Sequence, residues 1–79
     1  MIVASGFIEA NSLEDVQGIV SELNINNVEV KEIKDDRIVF LIERETAKEV
    51  RQILDSLKFI DNVRNVYLAY FSLEGSDIE

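Results

Sequence analysis

The stretch Val28-Glu29-Val30-Lys31-Glu32-Ile33-Lys34-Asp35-Asp36-Arg37-Ile38-Val39-Phe40-Leu41-Ile42-Glu43 decides the fold. Up to Ile33 it mostly alternates apolar and charged residues, the period-two pattern of a half-exposed strand. Asp35-Asp36 interrupts the pattern, and Arg37 to Glu43 forms a second β-compatible run. Two such runs joined by two polar residues predict a hairpin, although Asp-Asp is a weaker turn signal than Asp-Gly.

Upstream of the hairpin, Leu13, Val16, Ile19, Val20 and Leu23 recur at helical spacing, and Asn26-Asn27 marks the turn that follows. Ser12-Leu13-Glu14-Asp15 resembles a capping box with Asp in place of the usual Glu, and the helix is expected to end near Asn24. Gly18 inside it costs about 1 kcal/mol relative to alanine. Before that helix, Ile2 to Glu9 is mostly apolar and reads as a strand. Downstream, Thr46-Ala47-Lys48-Glu49 is a second capping box. It precedes an apolar stripe of Ala47, Val50, Ile53, Leu54 and Leu57, and Val63 to Phe71 supplies a last strand. The order strand, helix, strand, strand, helix, strand predicts an α+β domain of ferredoxin-like topology. Four antiparallel strands would carry two helices on one face. The domain is expected over residues 1–72, with 73–79 a short acidic tail, frayed or disordered.

Composition removes several kinds of chemistry. The 79 residues contain no cysteine and no histidine. Disulfides, thiolate nucleophiles and the commonest metal ligand and general base are therefore missing. Glycines 6, 18 and 75 stand too far apart for a phosphate loop. The acidic groups Glu14-Asp15, Asp35-Asp36 and Glu43-Arg44-Glu45 follow no calcium-loop spacing. No catalytic residue, metal site or cofactor is expected. A net charge of −8 argues against nucleic acid, which calls for a basic footprint. The N-terminal segment has no basic region, and no apolar run approaches a membrane span, so the expected location is the cytoplasm.

Face assignment points to binding. Pairing Ile33 with Ile38 and Val30 with Leu41 places Val28, Val30, Val39 and Leu41 under the helices. Ala4, Gly6, Ile8, Val66, Leu68 and Tyr70 are assigned to the same side. The opposite, open face would then carry Ser5, Phe7, Glu9, Glu29, Ile38, Phe40, Tyr67 and Phe71. Such an apolar patch exceeds what monomers usually leave wet, so something should cover it. A homodimer packed sheet to sheet is one way to do so. A register slipped by one residue would exchange the faces.

The strand Val3-Ala4-Ser5-Gly6-Phe7-Ile8-Glu9-Ala10, the segment Val28-Glu29-Val30, the run Ile38-Val39-Phe40-Leu41-Ile42-Glu43 and the closing Val66-Tyr67-Leu68-Ala69-Tyr70 resemble the NapD family. These are cytoplasmic assembly chaperones of periplasmic nitrate reductase, and the similarity runs over roughly residues 3 to 71. Two positions depart from the family pattern: Phe71, where a histidine is frequent, and Tyr67, where a small residue is common. The resemblance implies a partner, the twin-arginine signal peptide of a molybdenum-containing oxidoreductase precursor, held until cofactor insertion is complete. The eight open-face residues named above would contact it, with Glu9 and Glu29 meeting its arginines. The competing reading is a small-molecule-sensing regulatory domain that dimerises through its sheet. An acylphosphatase-type enzyme is disfavoured, because Glu9-Ala10-Asn11-Ser12 lacks the arginine an anion-binding loop requires.

Overall fold

Strand β1, Ile2–Ala10, alternates without a break between buried and half-buried residues and is one of the two inner strands of the sheet. The computed structural model describes residues 1–72, and the expectation for the tail over 73–79 lies outside them. After β1 come a 3-10 turn (Leu13–Asp15), α1 (Val16–Ile25), β2 (Glu29–Lys34), β3 (Arg37–Arg44), α2 (Ala47–Leu57) and β4 (Val63–Ser72). The strands lie in the order β2-β3-β1-β4, every neighbouring pair antiparallel. This is the expected ferredoxin-like architecture.

Local chemistry sets the joints. Thr46 caps α2, its hydroxyl accepting from the Glu49 backbone N–H at 3.2 Å. Ser12 behaves differently: its hydroxyl donates to the Asp15 carboxylate, and the first turn tightens into 3-10 form. Leu13 consequently stays exposed, while Val16, Ile19 and Leu23 are buried. Asn27, Asp35 and Asn62 take up left-handed backbone at three turns, a conformation that short polar side chains tolerate best. At the end of α1, the Arg44 guanidinium donates to the carbonyls of Asn26 and Asn27.

The core lies between the helices and one sheet face. Ala4, Ile8, Ile38, Phe40 and Ile42 from the strands meet Ile19, Leu23, Val50 and Leu57 from the helices, all essentially inaccessible to water. Among the described residues no polar or charged residue is buried. That leaves the apolar contact as the main source of stability.

Two irregularities in the strand ladders correct the face assignment. Ile33 does pair with Ile38, but Val30 pairs with Phe40, because Lys31 is an extra residue without a partner. The bulge puts Val30 and Ile33 on the same side, so Ile38 and Phe40 lie under the helices and Val39 and Leu41 face out. In β4, Ala69 is likewise unpaired between Leu68, opposite Gly6, and Tyr70, opposite Ser5. Beyond it the parity reverses: Tyr70 turns to the open face and Phe71 packs against the core.

Gly6 makes the second bulge sterically possible. A Cβ there would lie 1.9 Å from the Tyr67 carbonyl oxygen and 3.0 Å from the Leu68 Cα. Gly18 is the opposite case, with nothing within 4 Å of such an atom. Gly6→Ala is therefore expected to destabilise the domain by about 3 kcal/mol or more. Gly18→Ala is expected to stabilise it by about 0.5–1 kcal/mol through helix propensity. Urea denaturation of the two variants measures both.

Candidate functional site

Strand register builds the open face row by row. Glu32, Val39, Phe7 and Tyr67 form one row across the sheet, and Glu29, Leu41, Ser5 and Tyr70 form the next. Beyond the second row Glu43 sits beside Val3; at the other end Lys34, Arg37, Glu9 and Asn65 complete the face. Apolar side chains thus occupy the centre, and charges occupy the β2 edge and both ends.

The centre is ordered by aromatic packing. The Phe7 and Tyr67 rings stack at 4.7 Å between centroids with 25° between planes, and the Arg37 guanidinium lies 5.3 Å over Phe7. Tyr67 and Tyr70 remain about half exposed, at 43% and 55%, and Val39 at 36%. Val3, Phe7 and Leu41 are half-buried. Large apolar side chains left this wet on one contiguous surface mark an interaction site more often than a plain exterior.

Charge is distributed unevenly around that centre. Glu9 is claimed within the chain: its carboxylate lies 3.6 Å from Arg37 Nε and 3.8 Å from Arg64 Nη2, and accepts from Asn65 Nδ2 at 3.3 Å. Arg64 also reaches Asp36 at 3.3 Å, so this end of the face is a closed network. At the β2 edge, Glu29 pairs with Lys31 at 3.0 Å in an exposed bridge. Exposed bridges of this kind contribute little and exchange readily. Glu32 and Glu43 have no basic partner within ion-pair distance among the described residues.

Of the residues expected to touch a peptide, Ser5, Phe7, Glu9, Glu29 and Tyr67 do share this face. Ile38, Phe40 and Phe71 do not, since Ile38 and Phe40 are wholly buried beneath the helices and Phe71 packs on the same core. Their places are taken by Val39, Leu41 and Tyr70, which the sequence reading put on the helix side. Glu9 is on the right face but already neutralised, which leaves Glu29, Glu32 and Glu43 as the carboxylates a cationic guest could meet.

On the helix side, an open groove of about 410 Å³ is lined by Glu14, Asp15, Glu22 and Asp61 with Ile19, Ile60 and the exposed Phe59. Among the described residues no group of three or more acidic side chains is arranged to hold a metal ion. No described helix is long and apolar enough to cross a membrane.

Comparison of the chain with protein-family models, with curated proteins and with solved structures returns no match. The likeness to the NapD family rests on the residues quoted from the sequence, and any functional reading rests on this face.

The two faces should respond differently to truncation. Phe40→Ala is expected to lose about 3–5 kcal/mol of stability, as for a large residue removed from a packed core. Tyr67→Ala, on the half-exposed face, is expected to lose about 1 kcal/mol. Urea midpoints of the two variants check the assignment, and equal losses would contradict it.

Proposed function

We propose that this chain is a peptide-binding chaperone of the NapD type. It would act in the cytoplasm on the twin-arginine signal peptide of a molybdenum-containing oxidoreductase precursor, keeping the peptide from the export machinery until the cofactor is in place. Its task would be binding, with no reaction catalysed. The observation that carries this reading is the uncovered aromatic and aliphatic centre of the open face, Phe7, Val39, Leu41, Tyr67 and Tyr70.

A twin-arginine peptide joins a cationic segment to an apolar one, and the face offers a counterpart to each. Apolar burial against the central rows would supply most of the affinity, at about 25 cal/mol per Å² removed from water. Glu29, Glu32 and Glu43 lie beside those rows, and Glu29 can exchange its exposed Lys31 for a guest arginine. A net charge of −8 would speed encounter with a cationic chain. The sheet-dimerising regulatory domain competes for the same surface, but no described feature favours a small-molecule pocket within it.

Calorimetric titration with a synthetic twin-arginine signal peptide tests the proposal. Binding is expected, with affinity reduced about tenfold, or 1.4 kcal/mol, in Phe7→Ala. The Glu29→Gln/Glu32→Gln double variant should weaken binding mainly at low salt. No heat of binding at about 100 μM, equivalent to an interaction weaker than roughly −5.5 kcal/mol, would sink the chaperone reading.

A further inference from the structure

The groove on the helix side has two walls. One is the face of the 3-10 turn and α1 that carries Glu14, Gly18 and Glu22 at intervals of four residues, with Asp15 beside them. The other is the turn 58–62 between α2 and β4, which contributes Phe59, Ile60 and Asp61. Backbone bonds fix that turn: the Phe59 N–H donates to the Ser56 carbonyl at 3.1 Å, and the Asn11 N–H to the Asn62 carbonyl at 2.8 Å. The Phe59 side chain nevertheless stands in water, 85% exposed.

Packing explains neither Gly18 nor Phe59. A glycine in mid-helix weakens the helix relative to alanine, and a Cβ at position 18 would meet nothing within 4 Å. What Gly18 does provide is room, since it lines the groove between two glutamates of its own helix face. Phe59 buries little of its ring and so adds little to the core. The carboxylates are equally unengaged. Glu14, Glu22 and Asp61 have no basic side chain within ion-pair distance among the described residues, and Asp15 accepts from the Ser12 hydroxyl alone.

We propose that this groove docks a short polypeptide segment bearing arginines, at a site separate from the open face and independent of what binds there. Charge complementarity selects the class of occupant. Glu14 and Glu22 stand roughly 12 Å apart at the helical rise per residue, and Asp61 lies on the facing wall. Among the described residues no three acidic side chains are arranged to share one metal ion, so these carboxylates match several cations spaced along a chain better than a single one. The exposed ring chooses between cations. A guanidinium can stack on an aromatic face while its edge donates to a carboxylate, a combination that a lysine ammonium does not reproduce. Gly18 lets the backbone of the segment come close to α1. A groove of about 410 Å³ has room for only a short stretch of chain.

NMR titration of the isotope-labelled full chain with a capped peptide of alternating arginine and serine tests the proposal. This probe lacks the apolar stretch that the open face is proposed to hold. Saturable shifts are expected at Gly18, Glu22, Phe59 and Asp61, with a dissociation constant of about 1 mM or tighter. Gly18→Leu fills the groove from an exposed helix position, so binding should weaken about tenfold or more while the urea midpoint does not fall. Phe59→Ser and the Glu14→Gln/Glu22→Gln double variant should weaken it too, and lysine in place of arginine in the peptide should cost about fivefold. No saturation by about 1 mM overturns the proposal. Shifts spread over the exposed carboxylates and indifferent to Gly18→Leu also overturn it, since they would mean unspecific attraction to an acidic protein. Equal affinity for spermidine, or the same shifts with calcium alone, overturns it by making the occupant a small cation. Groove shifts that appear on concentrating the protein by itself do so by making the occupant a second copy. Calorimetry of the twin-arginine peptide on Gly18→Leu keeps the two readings apart, because binding at the open face, on the other side of the sheet, should persist.

Discussion

At Gly6 strand β1 passes so close to β4 that the Tyr67 carbonyl oxygen occupies the space a side chain would need. Much of the open face follows from that contact. The ladder is dislocated there, Ala69 is left over, and the end of β4 turns half a period. Phe71 moves inward to the core and Tyr70 outward to join Tyr67. One missing methyl group therefore helps decide which aromatics the protein keeps and which it presents. The cost of glycine in a strand, lost entropy and lost packing, is accepted where the backbone has to come close.

The Lys31 bulge does the corresponding work at the other side of the sheet. By inserting an unpaired residue into the edge strand it lets Val30 and Ile33 both lean toward the helix layer. It also carries a charge at the place where strand addition would begin. The acidic character of the protein is organised around these features. Glu9 and Asp36 are tied to Arg37 and Arg64 at one end of the face, while Glu32 and Glu43 remain available. Glu32 and Glu43 are thus the acidic side chains of this face that stand without a basic partner among the described residues.

Much of this was legible in the sequence. The alternation through Val28–Ile33, the break at Asp35-Asp36 and the helical spacing of Val50, Ile53, Leu54 and Leu57 give the element order, and the order gives the topology. The face of β1 was legible too, since Ala4 and Gly6 are small enough to let a helix approach, whereas the alternate set includes Ser5 and Glu9. The faces of β3 were not. Ile38, Phe40 and Ile42 are as apolar as Val39 and Leu41, so periodicity carries no information about which set points inward. Only the bulges break that tie, and nothing in the composition around Lys31 or Ala69 announces them. The engagement of Glu9 was hidden for a related reason, because Arg37 and Arg64 reach it only once three strands are in register.

Both tyrosines of this chain, Tyr67 and Tyr70, lie on the open face, and there is no tryptophan elsewhere to mask them. Their ultraviolet emission and near-ultraviolet dichroism are thus a built-in optical gauge of that one surface, with the Phe7 ring stacked against Tyr67 sharpening the dichroic signal. A molecule settling there should change the light from the protein without any label being attached.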